Sequence, residues 1–416
     1  MKFDVVIIGG GLSGLACGIK LAENGKKVCI VSDGQSSLHF NPGSFELLGC
    51  DASGRAVAHP LESIQSLDAS HPYHKVSDVA STAAEAKRLL TDAGIAVAGD
   101  ASANHFRLTP LGTLKPAWLT LSGMFTAENE QQFTGTKVKV INIIGYLDFP
   151  TKFVASGLRK LGADVTVKAI TTPSLDKARR SASEMRSANL AKVLNDDTEI
   201  NLLAQEINGV ASAADTVLLP AILSLADTAS ASALQERVAA KLQFAATLPP
   251  LVPGIRVQNM LRKRFQSLGG TVLTGDKATS GTFEGNKLTS ITTAKLTDET
   301  IMAHDFVLAT GSFMSHGLES NYQGVYEPIF GLDVDAAQDR TGWAAENVFA
   351  AQPYMEFGVA TDSELHAKKG GHSLTNVYAA GSVLSGHNHL KLADGTGVDL
   401  LTALQVSNNI LNQKGA

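Results

Sequence analysis

The sequence is poor in the residues that hold iron–sulfur clusters and structural zinc. Its 416 residues include only three cysteines, Cys17, Cys29 and Cys50, and no two of them form a C-x-x-C pair. Such centres usually take several thiolates that lie close together along the chain. We therefore expect no metal site, and we expect the cysteines to be small buried residues in a reducing compartment.

The chain also lacks long apolar runs and long basic runs. No stretch has the length and apolar character that crossing a bilayer requires. The apolar start over 5–8 runs into glycines without a basic region before it, which is typical of a strand and not of a signal peptide. The formal net charge of −5 argues against nucleic acid as a partner. We expect a cytoplasmic protein that reaches a membrane only through a partner.

What remains is an ordinary globular composition. Hydrophobic residues make up 44% and charged residues 18% of the chain, so the sequence can build a sizeable core. A length of 416 residues is enough for two or three domains.

A glycine-rich turn stands between a predicted strand and a predicted helix at the N-terminus. Residues 3–8 are rich in β-branched side chains, and Gly9, Gly11 and Gly14 follow in a G-x-G-x-x-G pattern. Gly9 permits a tight turn, Gly11 lets the backbone approach a pyrophosphate, and Gly14 lets the helix pack closely on the strand. The helix start then faces the anion with its amides and its dipole. The pattern predicts a Rossmann-like unit that binds a dinucleotide cofactor, FAD.

The acidic residue that usually binds the adenosine ribose is displaced. It normally ends the second strand of such a unit, but Ser32 stands there and Asp33 comes one position later. Asp33 can still reach the ribose, or Ser32 can make a weaker hydrogen bond. The sequence leaves open whether Asp33 is instead a solvated turn residue before Gly34.

Two later segments return the chain to the cofactor. A buried strand over 305–308 runs into Ala309-Thr310-Gly311, and a second one near the C-terminus runs into Gly381-Ser382. Flavoproteins usually have Gly-Asp at the second place, where the aspartate binds the ribityl chain, so Ser382 is a departure. Gly397 opens a last predicted helix whose N-terminus is expected to face the flavin. We predict cofactor contacts at Gly311, Gly381, Ser382 and Gly397.

A polar loop and a proline-rich loop supply the other candidates. The loop over 36–44 carries Ser44, a predicted cofactor contact, and His39, the first candidate for a catalytic base. Arg256 follows Pro249, Pro250 and Pro253, and an arginine in that position suits a phosphate or carboxylate. The sequence leaves open whether Arg256 binds a ligand or simply begins a helix that runs through Gln266.

The predicted fold class is α/β, with a Rossmann-like FAD-binding flavoprotein domain and an inserted mixed α/β substrate or cap domain. The expected boundaries place 1–50, 250–316 and 370–416 in the flavin domain. They place 51–249 and 317–369 in the inserted domain, which contains a second β-α-β unit without a G-x-G-x-x-G pattern.

The sequence resembles the B subunit family of the anaerobic, respiratory glycerol-3-phosphate dehydrogenase. The resemblance rests on short segments spread over nearly the whole chain: Gly9 to Gly14, 34–40 with Gly43-Ser44, 109–114, Leu248-Pro249-Pro250, Gly254-Ile255-Arg256 with Gln258-Asn259, 309–313, Glu327-Pro328-Ile329 with Gly331-Leu332-Asp333, Gln352-Pro353, Phe357-Gly358-Val359 and 381–384. One stretch departs from the family pattern. The segment 393–397 replaces a Gly-Cys-Gly-Gly-type loop, with His387 and His389 upstream.

The resemblance implies an activity and partners. Glycerol 3-phosphate is oxidised to dihydroxyacetone phosphate, and electrons pass to a quinone and then to fumarate or nitrate. The B subunit pairs with a larger flavoprotein, the A subunit, and an iron–sulfur protein, the C subunit, tethers both to the cytoplasmic face of the inner membrane. The resemblance implies FMN as the cofactor, whereas the fingerprint predicts FAD. Hydride would leave C2 for the flavin while His39 takes the hydroxyl proton, and Arg256 would bind the substrate's phosphate.

Three hypotheses stay open at this point. In the first, the chain is the respiratory flavoprotein subunit, and the substrate binds either here or on the A subunit. In the second, it is a soluble FAD-dependent oxidase or reductase that acts alone. In the third, it is a non-catalytic binding protein on a flavoprotein scaffold.

Overall fold

The computed structural model describes residues 1–413, and the chain forms two compact units. Unit 1 consists of Met1–Ser37, Glu46–Ala93 and the chain from Leu261 onward. Unit 2 consists of Leu38–Phe45 and Gly94–Met260. Each unit therefore collects segments that are far apart in the sequence.

Both units combine strands with helices, as expected for an α/β protein. The strands are β1 (Val5–Ile8), β2 (Val28–Ser32), β3 (Ser44–Phe45), β4 (Val97–Ala98), β5 (His105–Leu108), β6 (Leu114–Ala117), β7 (Leu119–Leu121), β8 (Thr126–Ala127), β9 (Lys137–Ile143), β10 (Asp164–Ile170), β11 (Thr216–Pro220), β12 (Lys241–Ala245), β13 (Thr271–Thr274), β14 (Ala278–Glu284), β15 (Lys287–Thr293), β16 (Ile301–Met302), β17 (Asp305–Leu308), β18 (Glu319–Ser320), β19 (Val325–Tyr326), β20 (Val334–Asp335), β21 (Gly358–Val359), β22 (His366–Lys369) and β23 (His372–Ala379). The helices are α1 (Leu12–Glu23), α2 (Pro60–Ser63), α3 (Val79–Asp92), α4 (Thr151–Lys160), α5 (Pro173–Ala178), α6 (Ser187–Val193), α7 (Asp197–Val210), α8 (Ala229–Arg237), α9 (Val252–Ser267), α10 (His389–Leu392) and α11 (Gly395–Asn412).

A six-stranded sheet forms the centre of unit 1. Its order is β13-β2-β1-β17-β23-β22, and every neighbouring pair is parallel except β22 with β23. The side chains of β1, β2 and β17 are buried along their whole length, as expected for strands covered on both faces. Because β1, β17 and β23 are parallel neighbours, their carboxyl ends lie at one edge of the sheet.

Helices α1, α3 and α11 pack together in unit 1. Helix α1 ends at the Asn24-Gly25 turn, where Gly25 has a φ of 78° that favours glycine. Gly18 in the middle of α1 allows close packing, because a Cβ there would lie 3.0 Å from the ring of Phe265. The helix is thus held close to the sheet at the end of β1.

Unit 2 has its own parallel sheet, in the order β10-β9-β11-β12. Helix α4 connects β9 to β10, so the second β-α-β unit predicted from the sequence is present in this unit. Two small antiparallel sheets, β3-β7-β4 and β6-β5-β8, complete it.

The structure differs from the sequence expectations at two elements. The sequence pattern of 271–273, like that of 281–283, 287–293 and 299–302, predicts an antiparallel strand with turns. Instead, β13 pairs in parallel with β2 and extends the central sheet. It follows helix α9, and a strand that follows a crossover helix commonly joins a parallel sheet. Helix α9 also begins at Val252, four residues before Arg256, so Arg256 lies inside the helix and does not begin it.

The division of the chain also differs from the expected boundaries. Residues 51–93 and 317–369 were expected in the inserted domain, but they belong to unit 1. The reason is that α3 packs against α1 and α11, and β22 pairs with β23. Residues 38–45 and 250–260, expected in the flavin domain, belong to unit 2.

Candidate functional site

The glycine-rich turn after β1 is packed so tightly that two of its positions admit only glycine. Gly9 has a φ of 120°, and a Cβ there would lie 2.0 Å from the carbonyl oxygen of Ala309. A Cβ on Gly14 would lie 1.9 Å from the carbonyl oxygen of Gly9. Both glycines hold α1 against the strands, which is the packing role that the sequence predicted for them.

Gly11 has the opposite surroundings. A Cβ there would meet only the Cβ of Ser36, at an ordinary contact distance of 3.6 Å. Gly11 is also the N-cap of α1, where it makes no side-chain cap, and the first turn of the helix has no acidic residue. The N-terminal end of this 12-residue helix therefore faces open space at Gly11, and its own first turn supplies no acidic residue there. The cradle fits a pyrophosphate.

The end of β2 places Ser32 and Asp33 in different environments. Ser32 is buried, and its Oγ lies against the backbone of Gly10, since a Cβ on Gly10 would come within 2.5 Å of it. The Ser32 hydroxyl donates a long hydrogen bond of 3.4 Å to the carbonyl oxygen of Gly34. Asp33 is exposed just beyond the strand. A role for either residue in binding a ribose stays a prediction.

The turns after β17 and β23 lie beside the turn after β1. Gly311 and Gly381 both have a φ of 78°, in the region that favours glycine. A Cβ on Gly381 would lie 2.0 Å from the Oγ of Ser13, which is in the first turn of α1. Gly381 therefore brings the last turn into direct contact with the start of the fingerprint helix.

Asp399 provides a carboxylate at this contact, although the sequence analysis missed it. Its Oδ1 accepts hydrogen bonds from the hydroxyl of Ser13, the hydroxyl of Ser382 and the backbone N–H of Ser382, each at 3.0 Å. Removal of the carboxyl group from water raises its pKa. Ser382 stands where flavoproteins usually have an aspartate, and it binds the carboxylate of Asp399 from helix α11.

Gly397, a predicted cofactor contact, is engaged by the chain itself. Its N–H donates to the carbonyl oxygen of Glu46 at 2.8 Å. A Cβ there would lie 2.2 Å from the hydroxyl oxygen of Tyr73. In this structure Gly397 therefore lets Tyr73 pack against the first turn of α11, and its amide is not free to face a flavin.

The start of α11 also carries a buried charged cluster that sequence reasoning did not find. Asp394, the N-cap of α11, is fully buried and lies 2.8 Å from Nε2 of His71. His387 approaches the other carboxylate oxygen at 3.5 Å. From the sequence, His387 stands out only as a residue upstream of the loop that departs from the family pattern. The spacing of His71, His387 and Asp394 along the chain gives no sign that they meet in the fold.

The remaining predicted residues lie in unit 2. His39 belongs to a short 3-10 helix over Ser37–Phe40, and its carbonyl oxygen accepts the N–H of Leu251 at 2.8 Å. Ser44 is fully buried in β3, which makes it part of the core of the unit. Gly254 packs this loop against α9, because a Cβ there would lie 1.8 Å from the carbonyl oxygen of Leu38.

Arg256 is almost completely buried, with 8% of its surface exposed. Its Nη1 donates to the carbonyl oxygens of Leu223 at 2.8 Å and Ser224 at 3.4 Å. Within the described part of the chain, no acceptor bonds its Nε or Nη2. Burial lowers the pKa of the guanidinium, and the charge of Asp227 opposes that shift. Arg256 therefore anchors the loop after β11. Its role in binding an anion stays a prediction.

Comparison with known proteins gives concordant results. The FAD binding domain family matches residues 4–398. The B subunit of anaerobic glycerol-3-phosphate dehydrogenase from Yersinia enterocolitica is 42% identical over 99% of both chains. The protein of the same name from Pectobacterium atrosepticum is 37% identical over 99% of both chains. That from Haemophilus influenzae is 38% identical over 99% of this chain and 100% of its own.

The chain belongs to the B subunit family of anaerobic glycerol-3-phosphate dehydrogenase. The resemblance drawn from the sequence is thereby confirmed, as is the fold class of an FAD-binding α/β flavoprotein. Among solved structures, glycine oxidase from Bacillus cereus aligns over all of this chain and 96% of its own at 12% identity. Its TM-score of 0.36 is too low for that likeness to add to the assignment.

The family match also bears on the cofactor. A match to an FAD binding domain supports FAD, which the glycine fingerprint predicted. FMN stays an alternative that rests on the resemblance alone. Within residues 1–413, no helix combines the length and the apolar character needed to cross a membrane.

Proposed function

We propose that this protein binds FAD at the turn formed by Gly9, Gly11 and Gly14 and takes part in the oxidation of sn-glycerol 3-phosphate to dihydroxyacetone phosphate. The observation that supports the proposal most strongly is the open, uncapped start of α1 at Gly11. Gly9 and Gly14 are closed by the backbone and Gly10 by the side chain of Ser32, so the space at Gly11 is a specific feature of this turn. The relatives named above carry the proposed activity in their names.

The chain's own residues would bind and orient the cofactor and the substrate. The first amides of α1 would hold the pyrophosphate, and Ser13, Ser382 and Asp399 supply hydroxyl and carboxylate groups for the hydroxyls of the ribityl chain. When bound, FAD supplies the acceptor for a hydride that leaves an alcohol carbon. Arg256 is the candidate for the phosphate of the substrate, because it is a largely buried arginine and a guanidinium suits a phosphate.

The assembly and the electron route are part of the same proposal. The lettered subunit name of the relatives implies an enzyme with further subunits. The resemblance identifies these partners as a larger flavoprotein, the A subunit, and an iron–sulfur protein, the C subunit. We infer that electrons leave through these partners to a quinone. The chain would then be attached to the cytoplasmic face of the inner membrane by its partners and not by a segment of its own.

Release of the cofactor tests the first step. The purified chain is denatured, and the released flavin is identified by its mass. We expect FAD in a molar ratio close to one per chain. Recovery of FMN alone would contradict the assignment of the turn to a pyrophosphate, because FMN has no adenosine half to place there. A colourless protein without flavin would favour the non-catalytic binding protein.

A further inference from the structure

Three buried side chains form a histidine–carboxylate–histidine cluster in unit 1. His71, Asp394 and His387 are 1%, 0% and 3% exposed. Oδ2 of Asp394 lies 2.8 Å from Nε2 of His71, and Oδ1 lies 3.5 Å from Nδ1 of His387. The two rings are edge to face, with their centres 6.1 Å apart. One carboxylate therefore serves two buried imidazoles.

The hydrogen bonds of His71 fix its role. The backbone N–H of Tyr73 donates to Nδ1 of His71 at 3.2 Å. The proton of the neutral ring is therefore on Nε2, which donates to Asp394. Burial lowers the pKa of His71 and keeps this ring neutral, although Asp394 works against that shift. His71 thus orients the carboxylate without cancelling its charge.

Asp394 keeps its negative charge for His387. Burial alone would raise the pKa of the carboxyl group, but the charge of His387 and the hydrogen bonds from both histidines outweigh burial and lower it. Burial likewise works to lower the pKa of His387, and the adjacent Asp394 carboxylate overcomes it, so the pKa of this imidazole is raised. A carboxylate beside an imidazole stabilises the imidazolium that forms when the ring takes up a proton.

Other charged groups face His387 as well. Asp399 and Glu356 add to the attraction from Asp394, and the charge of His387 in turn lowers the pKa of His71 and of His389. Within residues 1–413, no hydrogen bond engages Nε2 of His387. The ring is therefore held through Nδ1 and has its second nitrogen available for another partner.

The cluster lies on the segment between the last strand of the sheet and helix α11. That segment begins at Gly381 and Ser382, which are joined to Asp399 and to Ser13 of the fingerprint helix. Gly386, next to His387, has a φ of 89° and packs against Ser70, because a Cβ there would lie 2.4 Å from the carbonyl oxygen of Ser70. The same edge of the sheet thus carries the cofactor turn and the histidine cluster.

We propose that His387 is the general base of the alcohol oxidation, and that Asp394 and His71 are positioning residues that act through it. The proposal rests on the proposed function. In the step, the O–H bond at C2 of glycerol 3-phosphate breaks and its proton passes to Nε2 of His387. FAD, when bound, would accept the hydride released as the C2–H bond breaks, and the C2–O bond would become the carbonyl of dihydroxyacetone phosphate. In this proposal the base is His387 and not His39, the candidate suggested by the sequence.

The test uses His387→Gln in the complete complex, with His372→Gln as the matched control. His372 is an exposed histidine at the start of β23 and lies outside the cluster. We expect His387→Gln to lower kcat for glycerol 3-phosphate by roughly 10²- to 10⁴-fold, the usual contribution of a general base, with a smaller change in KM. The loss should diminish as the pH rises, because hydroxide replaces the base. Imidazole added to His387→Ala should restore part of kcat, which a merely structural role would not predict.

A second measurement does not depend on turnover. In the full-length chain with ¹⁵N-labelled histidine, NMR titration should show one imidazole signal with a raised pKa. That signal should be absent from His387→Gln. In Asp394→Asn that pKa should fall, because the stabilising charge is gone. An unchanged pKa in Asp394→Asn would overturn the role of Asp394.

The activity results separate the proposal from the function on which it rests. A wild-type complex that does not oxidise glycerol 3-phosphate would overturn the proposed function and this step with it. If the wild-type complex is active and His387→Gln keeps its kcat and its pH profile, only the step is overturned. The same holds if His39→Gln, and not His387→Gln, shows the loss of kcat that high pH relieves.

Discussion

At the scale of single residues, the glycine-rich turn separates requirements of the fold from requirements of the ligand. Gly9 and Gly14 face backbone atoms, and a methyl group at either position would collide with them. Gly11 faces space that the chain itself does not fill. Its φ of −82° is accessible to alanine as well, so the glycine at this position is not explained by the backbone.

This contrast predicts the behaviour of Gly11→Ala. The variant should fold with a Tm close to that of the wild-type apoprotein, yet retain much less FAD, because the methyl group occupies the space for the pyrophosphate. Flavin absorbance of the purified protein and the Tm of the apoprotein measure the two effects. Gly34→Ala is the matched control, since nothing lies within 4 Å of a Cβ there. Full flavin content in Gly11→Ala would show that the pyrophosphate lies elsewhere.

Arg256 allows a second prediction at this scale. Loss of a hydrogen bond to a charged ligand costs about 1.5–3 kcal/mol, which corresponds to roughly 10- to 100-fold in affinity. In the intact complex, Arg256→Lys keeps a positive charge but loses the two-pronged geometry, so KM for glycerol 3-phosphate should rise within that range. Lys263→Ala, at an exposed position of the same helix, should leave KM unchanged. Unaltered turnover and KM in Arg256→Lys and Arg256→Ala would mean that this residue does not bind the substrate.

The residues that sequence reasoning found and missed differ in one physical respect. The roles of Gly9 and Gly14 depend on a local spacing within one β-α-β unit, which the sequence displays directly. The bond between Ser13 and Asp399 joins residues 386 positions apart. Likewise, His71 and Asp394 are 323 positions apart. Contacts between residues so far apart in the sequence are set by the tertiary fold, and no local spacing in the sequence indicates them.

At the scale of elements, the start of α9 shows how a local signal misleads. The prolines and the glycine over 249–254 favour a loop, and the sequence analysis extended that loop to Arg256. The helix nevertheless begins at Val252, because a proline is tolerated in the first turn, where its missing N–H has no helical partner. Gly254 is explained by close packing against Leu38. In contrast, the buried strands β1, β2 and β17 were predicted well because each is a short apolar run.

The N-terminal end of α11 gives a prediction on stability. The pKa of His387 is raised in the folded chain, so its contribution to stability is fully present below its unfolded pKa of about 6.5 and is lost as the pH rises through the folded value. The Tm difference between wild type and His387→Gln should therefore be largest below about pH 6.5 and shrink above it. His71 has a lowered pKa and contributes in the opposite direction.

The control for this prediction is again a histidine outside the cluster. The Tm of His372→Gln, measured over the same pH range, gives the reference for loss of an exposed histidine. His71→Gln should show a difference that grows as the pH rises through its folded pKa towards 6.5, because the neutral ring is the stabilising form. If His387→Gln and His372→Gln behave alike, Asp394 does not hold a proton on His387 in the folded chain.

At the scale of the whole molecule, the chain has a cofactor site without the groups that carry electrons onward. Burial raises the pKa of Cys17 and of Cys29 to about 12, so neither thiol is a ready thiolate for a cluster or a redox reaction. The sequence has one other cysteine, Cys50. A respiratory role therefore needs cluster ligands from another protein, which agrees with the name of a subunit that its relatives bear.

This dependence can be measured in two half-reactions. We expect the purified chain, loaded with FAD, to reoxidise slowly with a soluble quinone analogue after chemical reduction, because it has no electron carrier beyond the flavin. Addition of the partner subunits should accelerate the reoxidation by at least an order of magnitude, because in the proposed assembly they carry the electrons on to the quinone. The change in flavin absorbance follows both reactions in a stopped-flow instrument. Fast reoxidation by the quinone or by oxygen in the isolated chain would instead favour the soluble oxidase, because such an enzyme completes its cycle alone.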